Sequence, residues 1–130
     1  PTGFSATCCL GRSNCKRPGA DAVARLSWLE IRQPEPQVLR PLSILVDPGE
    51  AEVIALAQSV SDSIVLLDDS QARRVAERFD IPRIGTLGIL RRAKKQGLID
   101  AIRPYIEQLK TNNIYMSDRL IEAVLQDVGE

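Results

Sequence analysis

Ser63-Ile64-Val65-Leu66-Leu67-Asp68-Asp69-Ser70, continuing as Gln71-Ala72-Arg73-Arg74-Val75-Ala76-Glu77-Arg78-Phe79, is the stretch on which the fold turns. Residues 63–67 form a short, apolar run with β-branched members, the pattern of a strand buried on both faces of a parallel sheet. Asp68-Asp69-Ser70 ends that run and supplies capping side chains for a helix over 71–79. Ala72, Val75, Ala76 and Phe79 recur at helical spacing and are expected to face inward. A buried strand passing through acids into an amphipathic helix is the unit from which α/β proteins are assembled.

The neighbouring segments extend the alternation. Upstream, Asp47-Pro48-Gly49-Glu50 places an acid at the cap, Pro at the first helical position and Glu three residues after the cap, which predicts a capping box. Val53, Ile54, Ala57 and Val60 then continue a helix over 48–60. Downstream, Pro82 stops the second helix and Arg83-Ile84-Gly85 reads as a brief strand. Thr86 caps a helix over 87–96, which Gly97 closes as a left-handed residue. A further helix over 99–112 buries Ile102, Tyr105, Ile106 and Leu109, with Pro104 forcing it to start nearby or to kink. Ile114-Tyr115-Met116 reads as an edge strand, and Ser117 or Asp118 caps a last helix through Val128. The expected architecture is an α/β sandwich around a mostly parallel sheet.

Before residue 48 the signals are weaker. Trp28 to Arg32 alternates like a strand, Asp21 to Leu26 suits a short helix, and Pro34, Pro36 and Pro41 make a connector or one helical turn. Residues 1–19 show neither period and read as loop.

Composition bounds the chemistry. The 130 residues are 44% hydrophobic and 26% charged, with seventeen Lys+Arg balancing seventeen Asp+Glu, an ordinary globular profile for one domain. There is no histidine, which excludes catalysis by imidazole and His-ligated zinc. Aromatic residues make up 4%, too few for a base-stacking platform. Cys8, Cys9 and Cys15 match no zinc spacing and read as incidental thiols. No apolar run reaches the length of a membrane span and no apolar signal core opens the chain, so the expected location is the cytoplasm.

Charge is segregated along the chain. Residues 28–69 carry eight acids and two bases, whereas residues 70–110 carry ten bases and four acids. An acidic metal pocket beside a phosphate-binding surface would produce this pattern, and so would two solvated faces. Asp68 and Asp69 follow the best strand, at the carboxyl end where open α/β sheets bind ligands. Glu50 and Glu52 open the helix leading into that strand. Carboxylates alone suit Mg²⁺ or Mn²⁺, and two such ions can drive phosphodiester hydrolysis. The competing reading makes Glu50 the third member of a capping box and pairs Asp68 with Gln71 as another. Arg91, Arg92, Lys94 and Lys95 lie on one helix, either as contacts to an RNA backbone or as a solvated face complementing the helix C-terminus. Arg73, Arg74 and Arg78 form a second stripe with the same two readings. A phospho-acceptor receiver domain is a third possibility in principle, but no second strand ends in a suitable Asp.

GEAEVIALA (49–57), IVLLDDSQARRVAERFDIPRIGTLGILRRAKKQGLI (64–99) and IRPYIEQLKTNNIYMSDRLIEAVLQDVGE (102–130) together resemble the C-terminal two-thirds of a PIN-domain protein, over roughly residues 18–130. The resemblance implies a Rossmann-like PIN fold and a metal-dependent ribonuclease ancestry, commonly as the toxin of a toxin–antitoxin pair. It implies that Glu50 is the family's helix acid and Asp68 its strand-end acid, with Asp69 and Glu52 as adjacent candidates. It further implies Mg²⁺ or Mn²⁺ as cofactor, RNA as substrate and an antitoxin protein as partner.

The chain departs from that family at its start. A PIN domain opens with an apolar strand ending in Asp, followed by a second acid on a helix. Here only Asp21 precedes Trp28 among acids, and no apolar run leads into it. Residues 1–17 read as foreign to the family, from a truncated or frame-shifted gene start, leaving an N-terminally incomplete fold. The expected consequences are a catalytic site short of ligands, weak or absent activity, and a homo-oligomer covering the gap by edge pairing or domain swap. The rival expectation is a non-catalytic interaction module that binds an antitoxin or its own copy.

Overall fold

The computed structural model describes residues 4–5, 21–22 and 25–130. Cys8, Cys9 and Cys15 lie outside the described residues. Its contacts divide the chain into two compact units, Pro1–Arg83 and Ile84–Glu130.

In the first unit β1 (Phe4–Ser5) pairs in parallel with β2 (Leu29–Glu30), aligning Phe4 with Leu29 and Ser5 with Glu30. β1 thus lies within the segment expected to be irregular. Next come α1 (Pro36–Leu42) and α2 (Pro48–Ser59). The triple-proline segment makes nearly two turns rather than a connector: Pro36 occupies the tolerant first turn, and Pro41 falls in the last. β3 (Val65–Leu66) pairs with β4 (Arg83–Ile84), and the Val65 N–H donates to the Pro82 carbonyl at 2.9 Å. α3 (Ser70–Arg78) connects these strands in sequence.

The core of this unit gathers Leu42, Ala51, Ile54, Ala55, Val65, Leu67, Ala72, Val75, Ala76 and Ile81. The inward face of α3 is as predicted for Ala72, Val75 and Ala76, but Phe79, at the helix C-cap, stays 46% exposed. The strand over 63–67 contracts to two residues and buries one face only. Val65 and Leu67 are buried, while Ile64 is 59% and Leu66 50% exposed. Continuous apolar sequence therefore does not mark two-sided burial in this strand.

The second unit holds α4 (Thr86–Lys95), α5 (Arg103–Thr111) and α6 (Asp118–Val128). Its core is Leu87, Ile102, Ile106, Ile121, Val124 and Leu125. Gly97, one residue past the C-cap of α4, has φ +71°, the left-handed conformation that a side chain disfavours and that closes a helix. Pro104 sets the start of α5 near residue 103 instead of 99. The segment 114–116 is not a strand, and Tyr115 is 90% exposed. Ser117 caps α6 by accepting from the Leu120 N–H at 3.3 Å.

Short parallel pairing, alternation of helix with strand, and helices built on these local signals make this a mixed α/β protein.

Candidate functional site

Two helix N-termini contribute to one cleft in the first unit. α2 begins after Asp47, and its first turn carries Glu50. Only half of the predicted capping box forms: Glu50 accepts from the Asp47 backbone N–H, while the Asp47 side chain makes no capping bond. α3 begins after Asp69, whose Oδ1 accepts from the backbone N–H groups of Gln71 at 2.8 Å and Ala72 at 2.9 Å. Both bonds use the same oxygen, so Oδ2 retains its lone pairs for another partner. The cap of α3 is thus Asp69, not Asp68.

The cleft encloses about 310 Å³ between the turn 43–47, Glu50, Asp69 and Gln71. Three carboxylates line it, from Asp47, Glu50 and Asp69, and no Lys or Arg does. Glu50 is half-buried, and its carboxyl is held above its ordinary value of 4.5. Burial is the main cause, and the Asp69 charge adds to it; the Asp47 N–H works in the opposite direction and the Asp47 charge pushes up again. Desolvation and like charge together outweigh the helix-dipole help that an N-terminal carboxylate receives.

Oxygen-only donors of this kind match hard divalent cations. Mg²⁺ keeps most of its water and is commonly held by one or two carboxylates, the number that Glu50 and Asp69 present to the cleft. They do not make a closed two-ion centre. Among the described residues no group of three or more acids, histidines or cysteines is arranged to enclose a metal.

The remaining sequence candidates are placed as follows. Asp68 is exposed and does not line the cleft. Glu52 is half-buried and also lies outside the lining. In the second unit Arg91 Nε lies 2.5 Å and Lys95 Nζ 2.6 Å from Asp127 Oδ2, and Lys94 Nζ lies 3.4 Å from Glu130 Oε1. Arg92 is exposed and makes no ion pair with the described residues. In the first unit the Arg73 guanidinium donates to the Leu67 carbonyl at 3.1 Å, so this member of the second basic stripe fastens the end of β3 to α3.

Sequence reasoning missed Gln71 as a cleft residue. Its Nε2 donates to the Leu45 carbonyl at 2.5 Å, across 26 residues. No local pattern signals that reach. The turn that forms the opposite wall is, in sequence, no more than a short apolar stretch from Leu42 to Val46.

The chain thus combines an α/β fold with an acid-lined cleft at two helix N-termini. The family comparison is specific: the PIN-domain family model matches residues 10–130, and the chain belongs to that family. The match begins within the stretch 1–17. No curated protein and no solved structure matches the chain. Membership places the protein in a lineage of nuclease type whose members generally use divalent metals and bind nucleic acids. No described helix is long and apolar enough to cross a membrane.

Proposed function

We propose that this protein is a PIN-domain relative of metal-dependent ribonuclease toxins whose catalytic site is incomplete. Glu50 and Asp69 hold one Mg²⁺ or Mn²⁺, with Asp68 adjacent on the chain as a further donor. When bound, such an ion supplies a polarised water for phosphodiester hydrolysis. Glu50 and Asp69 fix it, and their helix N-termini keep the carboxylates ionised once its charge is present. The observation that carries this reading is the concentration of three acids, and no base, in one cleft where Glu50 is already short of solvent. Arg91, Arg92, Lys94 and Lys95 are the proposed RNA contacts, and all but Arg92 would exchange an acidic partner for phosphate. An antitoxin protein and the cytoplasm complete the reading.

The test is Mn²⁺ titration by calorimetry together with Mn²⁺-dependent cleavage of structured RNA. Expected results are Mn²⁺ binding that Glu50→Gln removes, and slow or absent cleavage. Rapid cleavage abolished by Asp68→Ala overturns the incomplete site, and absence of Mn²⁺ binding overturns the cation reading.

A second reading, a non-catalytic module that binds an antitoxin or its own copy, is favoured by the exposed side chains of Leu66 in β3 and of Ile64 just before it. Light scattering of the protein and of Leu66→Ser distinguishes it: an oligomer lost in the variant supports self-association.

A further inference from the structure

Arg91 and Lys95 stand one turn apart on the same face of α4, and both side chains reach α6. Arg91 Nε lies 2.5 Å and Lys95 Nζ 2.6 Å from a single atom, Asp127 Oδ2. Two cations converging on one carboxylate oxygen outline a seat for one oxygen of an anion. All three side chains sit at the surface: those of Arg91 and Lys95 are each 48% exposed and that of Asp127 is 39% exposed. A guanidinium held through Nε keeps its terminal N–H groups for a further acceptor. Arg92 follows Arg91 and precedes Lys95 by three residues, so the three cations form one exposed band on a helix whose own sequence contains no acid.

The neighbouring Lys94 pair is built differently. Lys94 is 25% and Glu130 11% exposed, the ammonium also donates to the Asp100 carbonyl, and Glu130 accepts from the Ile102 N–H at 2.7 Å. That pair fastens backbone segments together. Asp127 instead joins two side chains in solvent, where an ion pair contributes little to stability. Its carboxyl is held down to about 2, by the Arg91 hydrogen bond first and the Lys95 hydrogen bond second, so it stays ionised at neutral pH.

We infer that Arg91 and Lys95 form a seat for one phosphate of an RNA backbone and that Asp127 is the built-in competitor for that seat. The inference rests on the RNA reading of this helix. A phosphodiester oxygen matches the carboxylate oxygen it displaces in charge. The RNA chain also brings further phosphates to Arg92 and releases counterions as it binds. Asp127 is tethered at high effective concentration and so holds the seat against an isolated anion. Once displaced, it remains as like charge beside the bound phosphate and weakens the complex.

Asp127→Asn isolates this role, because it keeps an acceptor oxygen and removes the charge. Asp127→Ser, which also removes the charge, should behave alike. Binding of a fluorescein-labelled oligouridylate is measured by anisotropy across a salt series, with circular dichroism confirming the fold of each variant. The expected result is RNA affinity about three- to tenfold tighter than wild type at low salt, with the difference shrinking as salt screens it. Arg91→Gln and Lys95→Gln should weaken binding. Glu122→Gln removes the same charge from an exposed position of α6 about 140° round the helix from Asp127, and its affinity should match wild type. RNA affinity in Asp127→Asn equal to or weaker than wild type overturns the competitor role while the RNA reading stands. An equal gain in Glu122→Gln reduces the effect to net charge and overturns it as well. Polyglutamate bound as tightly as oligouridylate reassigns the seat to an acidic protein and overturns the inference. Absence of RNA binding in wild type and Asp127→Asn alike overturns both the inference and the RNA reading.

Discussion

Glu130 Oε1 lies 2.7 Å from the backbone nitrogen of Ile102, and its Oε2 lies 3.3 Å from that of Arg103. The first turn of α5 is therefore capped from outside its own helix. Ile102, at the N-cap position, has no oxygen in its side chain and makes no side-chain capping bond. The Lys94 ammonium approaches the same carboxylate and also donates to the Asp100 carbonyl, so α4, the turn before α5 and the end of the second unit meet on one acid.

Glu130→Ala should consequently lower the melting temperature by about 3–5 °C, the effect of losing one good N-cap. Glu130→Gln, which keeps an acceptor oxygen but loses the charge, should recover part of that loss. Thermal melts followed by circular dichroism check both variants. Equal melting of wild type and Glu130→Ala would remove the tertiary cap.

Asp127 joins α6 to α4 through Arg91 and Lys95, and its carboxyl is lowered from 3.8 to about 2 by the Arg91 hydrogen bond first and the Lys95 hydrogen bond second. Because the folded-state value lies below the unfolded one, the contribution to stability is present above 3.8 and disappears as pH falls toward 2. Carboxyl carbon titration by NMR should place the Asp127 midpoint near 2, and Arg91→Ala should move it toward the ordinary range. A midpoint near 3.8 in wild type would contradict the pairing.

The sign is opposite for Glu50. Its folded-state carboxyl is raised, chiefly by burial and then by Asp69, so ionisation penalises the native state as pH rises through the folded value. Glu50→Gln should be more stable than wild type at pH 7, and the two should converge in acid below the ordinary value of 4.5. The Gln oxygen can still accept from the Asp47 N–H, so the comparison isolates the charge. Mn²⁺ should raise the melting temperature of wild type and leave that of Glu50→Gln unchanged. Melting curves at the two pH values, with and without metal, decide the point.

Gly88 in α4 packs against Ile84: a Cβ built at Gly88 would lie 2.8 Å from Ile84 Cγ1. Cγ1 sits close to the backbone and cannot swing away cheaply. Gly88→Ala gains about 1 kcal/mol in helix propensity and loses about 1–3 kcal/mol to overpacking, so the net change should be destabilising. Ile84→Ala opens the space, and in that background Gly88→Ala should become stabilising. A double-mutant cycle from denaturant unfolding measures the coupling, and a coupling near zero would refute the contact.

Helix ends were readable in the linear chain because capping is local. Pro48 after Asp47, Gly97 after Gln96 and Ser117 before α6 all act within a turn of the helix they delimit, and each does so in the structure. Glu50 and Asp69, which line the cleft, were likewise nameable as candidates from their positions at a helix start and after a strand. The family, too, was legible in order and spacing, over nearly the stretch that the family match covers.

Local order does not decide which side chains meet, because that depends on the path of the chain between them. Asp69 rather than Asp68 lines the cleft with Glu50, since adjacent residues diverge where a strand passes into a helix. Arg91 and Lys95 find Asp127 more than thirty residues onward, and Gln71 finds Leu45 across 26. The apolar run 63–67 specifies a strand by its β-branched side chains, yet one face of it is left to solvent. Burial is a property of what packs against a surface, and a one-dimensional pattern holds no information about a neighbour supplied from elsewhere in the chain.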